Sequence, residues 1–226
     1  WNESLVLLQK SDPSWPSEVK PYGDFMLVLA LERLDRKDEA KRLSLALLPQ
    51  APEDLGYYVA FALFRLTDEK DHDARRKYLQ RMYSLSETNA QRTTALTNLL
   101  KLPGDKTAYA LNLTNISPRN SDALKVLESL PKPWNPDVNM AVGYAAYLRG
   151  QYDKAIPLFR AIPMDSGHGR KSRYYRAFSL YNQKKYTAAL DAWASLAKAG
   201  TTYAESSIRR ISILAGRAEK ESALRV

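Results

Sequence analysis

Two imidazoles, His72 and His168, are all that this 226-residue chain offers for histidine base or ligand chemistry. Either role needs convergent partners: a nucleophile, a carboxylate or further ligands in one site. The two stand far apart in sequence, each in a polar stretch that reads as a loop or helix start, and each reads as a surface histidine. The stretch "SGHGRKS" (166–172) has the glycine content of a phosphate-binding loop. Such a loop needs a glycine-lysine-serine order after a strand, and neither is present. The stretch reads instead as a linker into a helix, with Ser166 or Ser172 near its start. Arg170 and Lys171 stand beside that N-terminus, which has the polarity to attract an anion. Cysteine is absent, which excludes disulfides, thiolate metal sites and thiol nucleophiles. The expectation is a chain that is not an enzyme, with no catalytic, metal or cofactor site.

What remains is the chemistry of binding. The chain holds 14 tyrosines and a net charge of +9. Residues 1–130 carry 18 Lys/Arg against 18 Asp/Glu, whereas residues 131–226 carry 16 against 7, so the whole excess lies in the second part. A basic field favours acidic proteins, anionic polymers such as a cell wall, membrane surfaces or nucleic acid. Nucleic acid is disfavoured, because no two-residue code recurs from unit to unit as it would in base-reading repeats.

These residues are positioned by a repeat. "YLRGQYDKAIPLF" (147–159) returns as "YNQKKYTAALDAW" (181–193) after 34 residues. Gly143 matches Ala177, Tyr147 matches Tyr181, Tyr152 matches Tyr186, Ala155 matches Ala189 and Phe159 matches Trp193. A further step reaches Ile211, Ala215, Ala223 and Leu224. A fixed period of this size marks a stack of supersecondary units, none of which buries its apolar face alone. Each unit reads as two helices, with Gly150-Gln151 as the turn and Asp153 as N-cap of the second. The small residues allow close helix approach and the aromatic fills the space towards the next pair. Pro157 falls near the limit of what the start of a helix tolerates.

Upstream the period blurs. Ala40, with Ala74 34 residues on, marks two helical pairs at 22–48 and 54–84. Three helices are expected over 88–101, 106–115 and 120–130, punctuated by Pro103-Gly104 and Pro118. Residues 1–21 read as a short helix (2–9) and a proline-punctuated loop, 22–131 as degenerate helical repeats, and 132–226 as regular ones (139–166, 171–200 and a truncated 203–226). No apolar run approaches the ~18 residues of a membrane span, and no signal or transit peptide is visible at Trp1. The chain reads as a fragment of a longer protein.

Gly143, Tyr147, Gly150, Tyr152, Ala155 and Phe159, followed by Ala177, Tyr181, Tyr186, Ala189 and Trp193, resemble the tetratricopeptide repeat. The pattern departs from that family at Asn139 and Arg173, where a tryptophan or leucine is usual, and lacks the closing prolines. The resemblance implies an all-α, right-handed superhelical solenoid of about six antiparallel helix pairs, regular in 137–226 and irregular in 85–131. It also implies a protein or peptide partner on the concave face lined by the first helix of each pair, and the basic excess adds an acidic one to the candidates. The inner positions carried over are Met140, Tyr144, Tyr147, Leu148, Lys171, Tyr174, Tyr175, Phe178, Tyr181 and Arg209. Tyr147 and Tyr181, because they repeat, are the most structural of these. The family's clamp for acidic chaperone tails uses lysine, two asparagines, lysine and arginine. Here Met140, Tyr144, Tyr175, Glu205 and Arg209 stand at those positions, which argues against that clamp.

Glu205-Ser206 resembles the catalytic pair of soluble lytic transglycosylases, but the glycine-rich Gly-Leu-Met-Gln stretch that follows it in those enzymes is absent. The period also places Glu205 at the start of an ordinary repeat helix. The functional expectation is therefore a non-enzymatic scaffold of a bacterial envelope assembly or polysaccharide-export machine. A periplasmic setting is favoured over a cytoplasmic one. The alternative is an accessory helical region of a cell-wall lytic enzyme.

Overall fold

A computed structural model describes residues 3, 6–8, 15–198 and 203–223, with side chains as far as 216. Residues 2, 4, 5 and 9 of the expected first helix, and Leu224 of the third repeat step, lie outside the described residues. The described elements are helical, with no strand among them. The chain forms two compact units, Trp1–Ile116 and Ser117–Val226.

The first unit holds α1 (Lys20–Arg33), α2 (Lys37–Leu47), a 3-10 turn (Leu48–Gln50), α3 (Glu53–Leu66), α4 (His72–Ser84), α5 (Asn89–Lys101) and α6 (Thr107–Ile116). Each helix packs on the next, and α1 also lies beside α3. The second unit holds α7 (Ser121–Glu128), α8 (Pro136–Leu148), α9 (Tyr152–Arg160), α10 (Gly169–Asn182), α11 (Tyr186–Lys198) and α12 (Ala204–Ala223). Here too each helix packs on the next, and α8 lies beside α10. In place of about six pairs, the described residues form five complete ones, α1/α2, α3/α4, α5/α6, α8/α9 and α10/α11, with α7 and α12 single.

Three of the five turns inside the pairs share one construction. Asp35, Gly150 and Lys184 have φ of 58°, 73° and 61°. The next N–H in each reaches back five residues: Arg36 to the Leu31 carbonyl, Gln151 to Ala146 and Lys185 to Leu180, at 2.9, 2.9 and 3.0 Å. This is the left-handed helix ending that satisfies orphan carbonyls within a single residue. The second helix starts at once, so α9 begins at Tyr152 and Asp153, expected as its cap, lies inside its first turn. There Asp153 accepts a 2.6 Å hydrogen bond from Gln183 Nε2. A left-handed residue with a Cβ costs roughly 1–2 kcal/mol. Lys184→Gly is therefore expected to stabilise the fold by about 0.5–1 kcal/mol and Gly150→Ala to destabilise it by about 1 kcal/mol, read as opposite shifts in urea midpoint.

The small residues do what close packing demands. Ala40, Ala110, Ala155 and Ala189 are each the fourth residue of a second helix, and all are fully buried. In α4 that place falls to Arg75, whose guanidinium lies over Phe64, 4.4 Å from the ring centroid. Ala74, the expected counterpart of Ala40, is one place early and only half-buried. A Cβ on Gly143 would stand 3.0 Å from the Phe159 ring, so glycine is what lets α9 seat that ring. The repeating tyrosines pair across the turn with nearly the same geometry in both copies. Tyr147 and Tyr152 lie 6.0 Å apart at 56°, and Tyr181 and Tyr186 lie 5.5 Å apart at 57°.

Candidate partner-binding grooves

In the second unit, α8 and α10 bring most of the expected groove residues together. Tyr144, Tyr147 and Tyr175 form a mutually touching triangle with centroid separations of 6.2, 4.8 and 5.2 Å. Tyr174 extends it edge-on at 5.8 Å, and Phe178 follows at 4.9 Å. Phe178 in turn rests against the buried Trp193, which also meets Tyr181. All six of these tyrosine and phenylalanine side chains are half-buried, so each combines a packed edge with an open one. Helical spacing explains the set: 144 and 147 on α8, and 171, 174, 175, 178 and 181 on α10, recur at three- and four-residue steps along one face.

Two cations edge this surface. Lys171 Nζ lies 5.6 Å from the Tyr144 ring centroid, and the Arg210 guanidinium lies 5.1 Å from that of Phe178. Burial, then its hydrogen bond with Tyr144, pushes the Tyr175 phenol far above the usual range. Burial also raises Tyr147, where the nearby Arg210 pulls the other way. Both phenols therefore stay neutral. On α10, burial lowers the Arg176 guanidinium below its ordinary value, helped by Arg173 and Arg160.

Not every expected position serves. Met140 is 5% exposed and sits in the core with Ala146, Ala155, Phe159 and Ile162, so it forms the floor. Leu148 is half-buried and Arg209 is exposed on α12. It is the adjacent Arg210 that meets the aromatic row, along with Tyr203, whose ring lies 4.8 Å from Tyr174. Neither was among the residues carried over by the 34-residue step, which does not hold through the α11–α12 connection.

The glycine-rich linker is structural. The Ser166 hydroxyl donates to the Pro163 carbonyl and the buried Ser172 hydroxyl to that of Gly169. A Cβ on Gly169 would lie 2.2 Å from the Met164 carbonyl oxygen. His168 Nε2 lies 3.0 Å from Asp137 Oδ1. Glu205 and Ser206 are exposed in the first turn of α12. Among the described residues no group of three or more His, Asp or Glu could hold a metal, and no helix is long and apolar enough to cross a membrane.

The first unit carries a groove that the sequence did not reveal. A cavity of about 480 Å³ opens over its first helices, α1, α3 and α5. Phe25 and Leu29 contribute from α1, Tyr57, Tyr58, Phe61 and Arg65 from α3, and Ala90, Gln91 and Thr94 from α5. Tyr57 is buried, and burial raises its phenol, while a hydrogen bond with Thr94 opposes the rise. Tyr58 is 48% exposed and meets Tyr57 edge-on at 5.2 Å.

No protein-family model matches the chain, and no curated protein matches it. The fold and the two grooves therefore rest on their own geometry: paired helices, of whose first members α1, α3, α8 and α10 carry aromatic side chains and α5 carries none.

Proposed function

We propose that this chain is a non-enzymatic interaction scaffold of the tetratricopeptide type, a right-handed stack that binds an acidic protein or peptide on the first-helix face of its second unit. The single observation that carries this reading is the half-buried row from Tyr147 to Phe178, edged by Lys171 and Arg210. Tyrosine suits such a surface because it buries a rigid face and keeps a polar tip. The neutral phenol of Tyr147 offers a donor, and the two cations offer charge, to carboxylates. The setting we propose is a bacterial envelope assembly on the periplasmic side. Absence of cysteine and a net charge of +9 are compatible with it.

The test is fluorescence anisotropy with a labelled peptide alternating Glu and Phe. Binding is expected to weaken as salt rises, because exposed charge pairs are screened within about 10 Å at 0.1 M. Lys171→Ala with Arg210→Ala should weaken it about five- to tenfold and flatten the salt dependence. Binding that ignores both salt and the two cations would sink the acidic-partner reading.

A further inference from the structure

We infer that the α1/α3/α5 groove of the first unit is a separate docking site for an uncharged peptide segment presenting large apolar side chains. The inference rests on the reading of first-helix faces as binding surfaces, but it concerns a different unit and a different chemistry.

The electrostatics of the groove set the occupant. Its two ends are closed by polar pairs between α1 and α3. At one end the Tyr22 hydroxyl donates to both Asp54 carboxylate oxygens, at 3.0 and 3.1 Å. At the other, Arg65 grips Glu32 with two bonds of 2.8 and 2.7 Å, and its guanidinium also lies 4.7 Å from the Phe61 ring centroid. Arg65 and Glu32 thus neutralise each other, in contrast to Lys171 and Arg210 in the second unit. Between the ends the surface is apolar, formed by Phe25, Leu29, Tyr58 and Phe61. Met26 and Tyr22, on the same helix α1, are also exposed, at 48% and 40%. A charged segment entering here would lose hydration and find no free counter-charge in return. An apolar one has no charge hydration to lose and gains burial.

One directional group separates a peptide from other apolar ligands. The Gln91 side-chain carbonyl accepts from the backbone N–H groups of Glu87 and Thr88, at 2.9 and 3.0 Å. This fixes the amide's orientation and leaves its nitrogen to donate from the groove wall, where a peptide carbonyl is the fitting acceptor. A sugar would need several acceptors, and the two carboxylates at the ends already hold partners. A bilayer cannot enter a concave cleft. The cavity volume lies within the range, about 300–1,000 Å³, of sites that enclose small ligands, enough for two or three side chains.

The experiment titrates the full chain, with assigned amide and aromatic NMR signals, using an acetylated and amidated peptide that carries Leu and Phe three residues apart in a Ser/Gln background. Shift changes are expected at Tyr57, Tyr58, Phe61 and Thr94, with less than about twofold change in affinity between low and high salt. Ala90→Trp, at an exposed helical position on the groove wall, should occlude the site and weaken binding at least about tenfold while leaving the helical spectrum intact. Tyr58→Ala should act in the same direction. Shifts that persist in both variants, or that require the Leu and Phe to be replaced by Glu, would overturn the inference. Shifts confined to the Tyr144 and Phe178 region would overturn it while leaving the scaffold reading standing. Failure of both this peptide and the acidic one at any first-helix face would remove both readings.

Discussion

Trp193→Ala is expected to destabilise the second unit by about 3–5 kcal/mol, the range for removing a fully buried large aromatic. The side chain is 1% exposed and is the largest one wholly enclosed among the described residues. It is packed with Ala177, Ala189, Ala192 and Leu196, against Ile211 and Leu214 of α12, and against the Phe178 and Tyr181 rings. The small residues around it are already minimal, so they cannot close the cavity by rotating into it. The indole N–H has no hydrogen-bond partner, so the loss is one of packing. That gives a control: Trp193→Phe keeps much of the ring, removes the orphan donor, and should cost about 1–2 kcal/mol. Against a domain's total of roughly 5–15 kcal/mol, the alanine variant leaves the unit marginal. Hydrogen exchange should show protection lost across α8–α12 and retained across α1–α6. Equal loss in both would mean that the two units unfold as one.

The helices of the second unit were legible because their apolar and small residues keep one period. Gly143/Ala177, Tyr147/Tyr181 and Phe159/Trp193 play matching parts in the packing. In the first unit the small-residue place survives at Ala40 and Ala110 but is taken by Arg75 in α4. An arginine stacked on Phe64 fills the same space with a flat guanidinium, a substitution that no residue-type pattern reveals. The groove of that unit was illegible for a related reason. Tyr57 and Tyr58 are adjacent and chemically alike, yet one is core and the other 48% exposed, because neighbours stand about 100° apart around α3 and only one of them faces the core. The cross-helix pairs Tyr22–Asp54 and Glu32–Arg65 are separated by 32 and 33 residues. They fall close to the period, and so to the signal by which neighbouring first helices place polar partners side by side. Arg210 escaped for the opposite reason, since strict adherence to the period selected Arg209.

Tyr144→Ala combined with Phe178→Ala is expected to weaken acidic-peptide binding by about 10- to 100-fold, or roughly 1.4–2.8 kcal/mol. These two positions differ between the copies of the repeat, where the structural tyrosines do not. Tyr144 carries the Lys171 ammonium on its ring and Phe178 carries the Arg210 guanidinium. Removing both rings takes away the apolar platform and lets both cations swing into water, so the effect should exceed that of deleting the cations. The folding cost is bounded by what each ring touches. Both are half-buried, and Phe178 meets Trp193 edge-on at 5.2 Å. Far-UV circular dichroism should therefore be unchanged and the urea midpoint only modestly lower. Tyr144→Phe separates the two contributions of that side chain, since it keeps the ring and removes only the hydroxyl that hydrogen-bonds Tyr175. If binding survives in Tyr144→Phe and fails in the double alanine variant, the ring is the contact. If instead the double variant loses its helical signal, the two rings belong to the core, and the binding face of this unit has to be sought beyond α8 and α10.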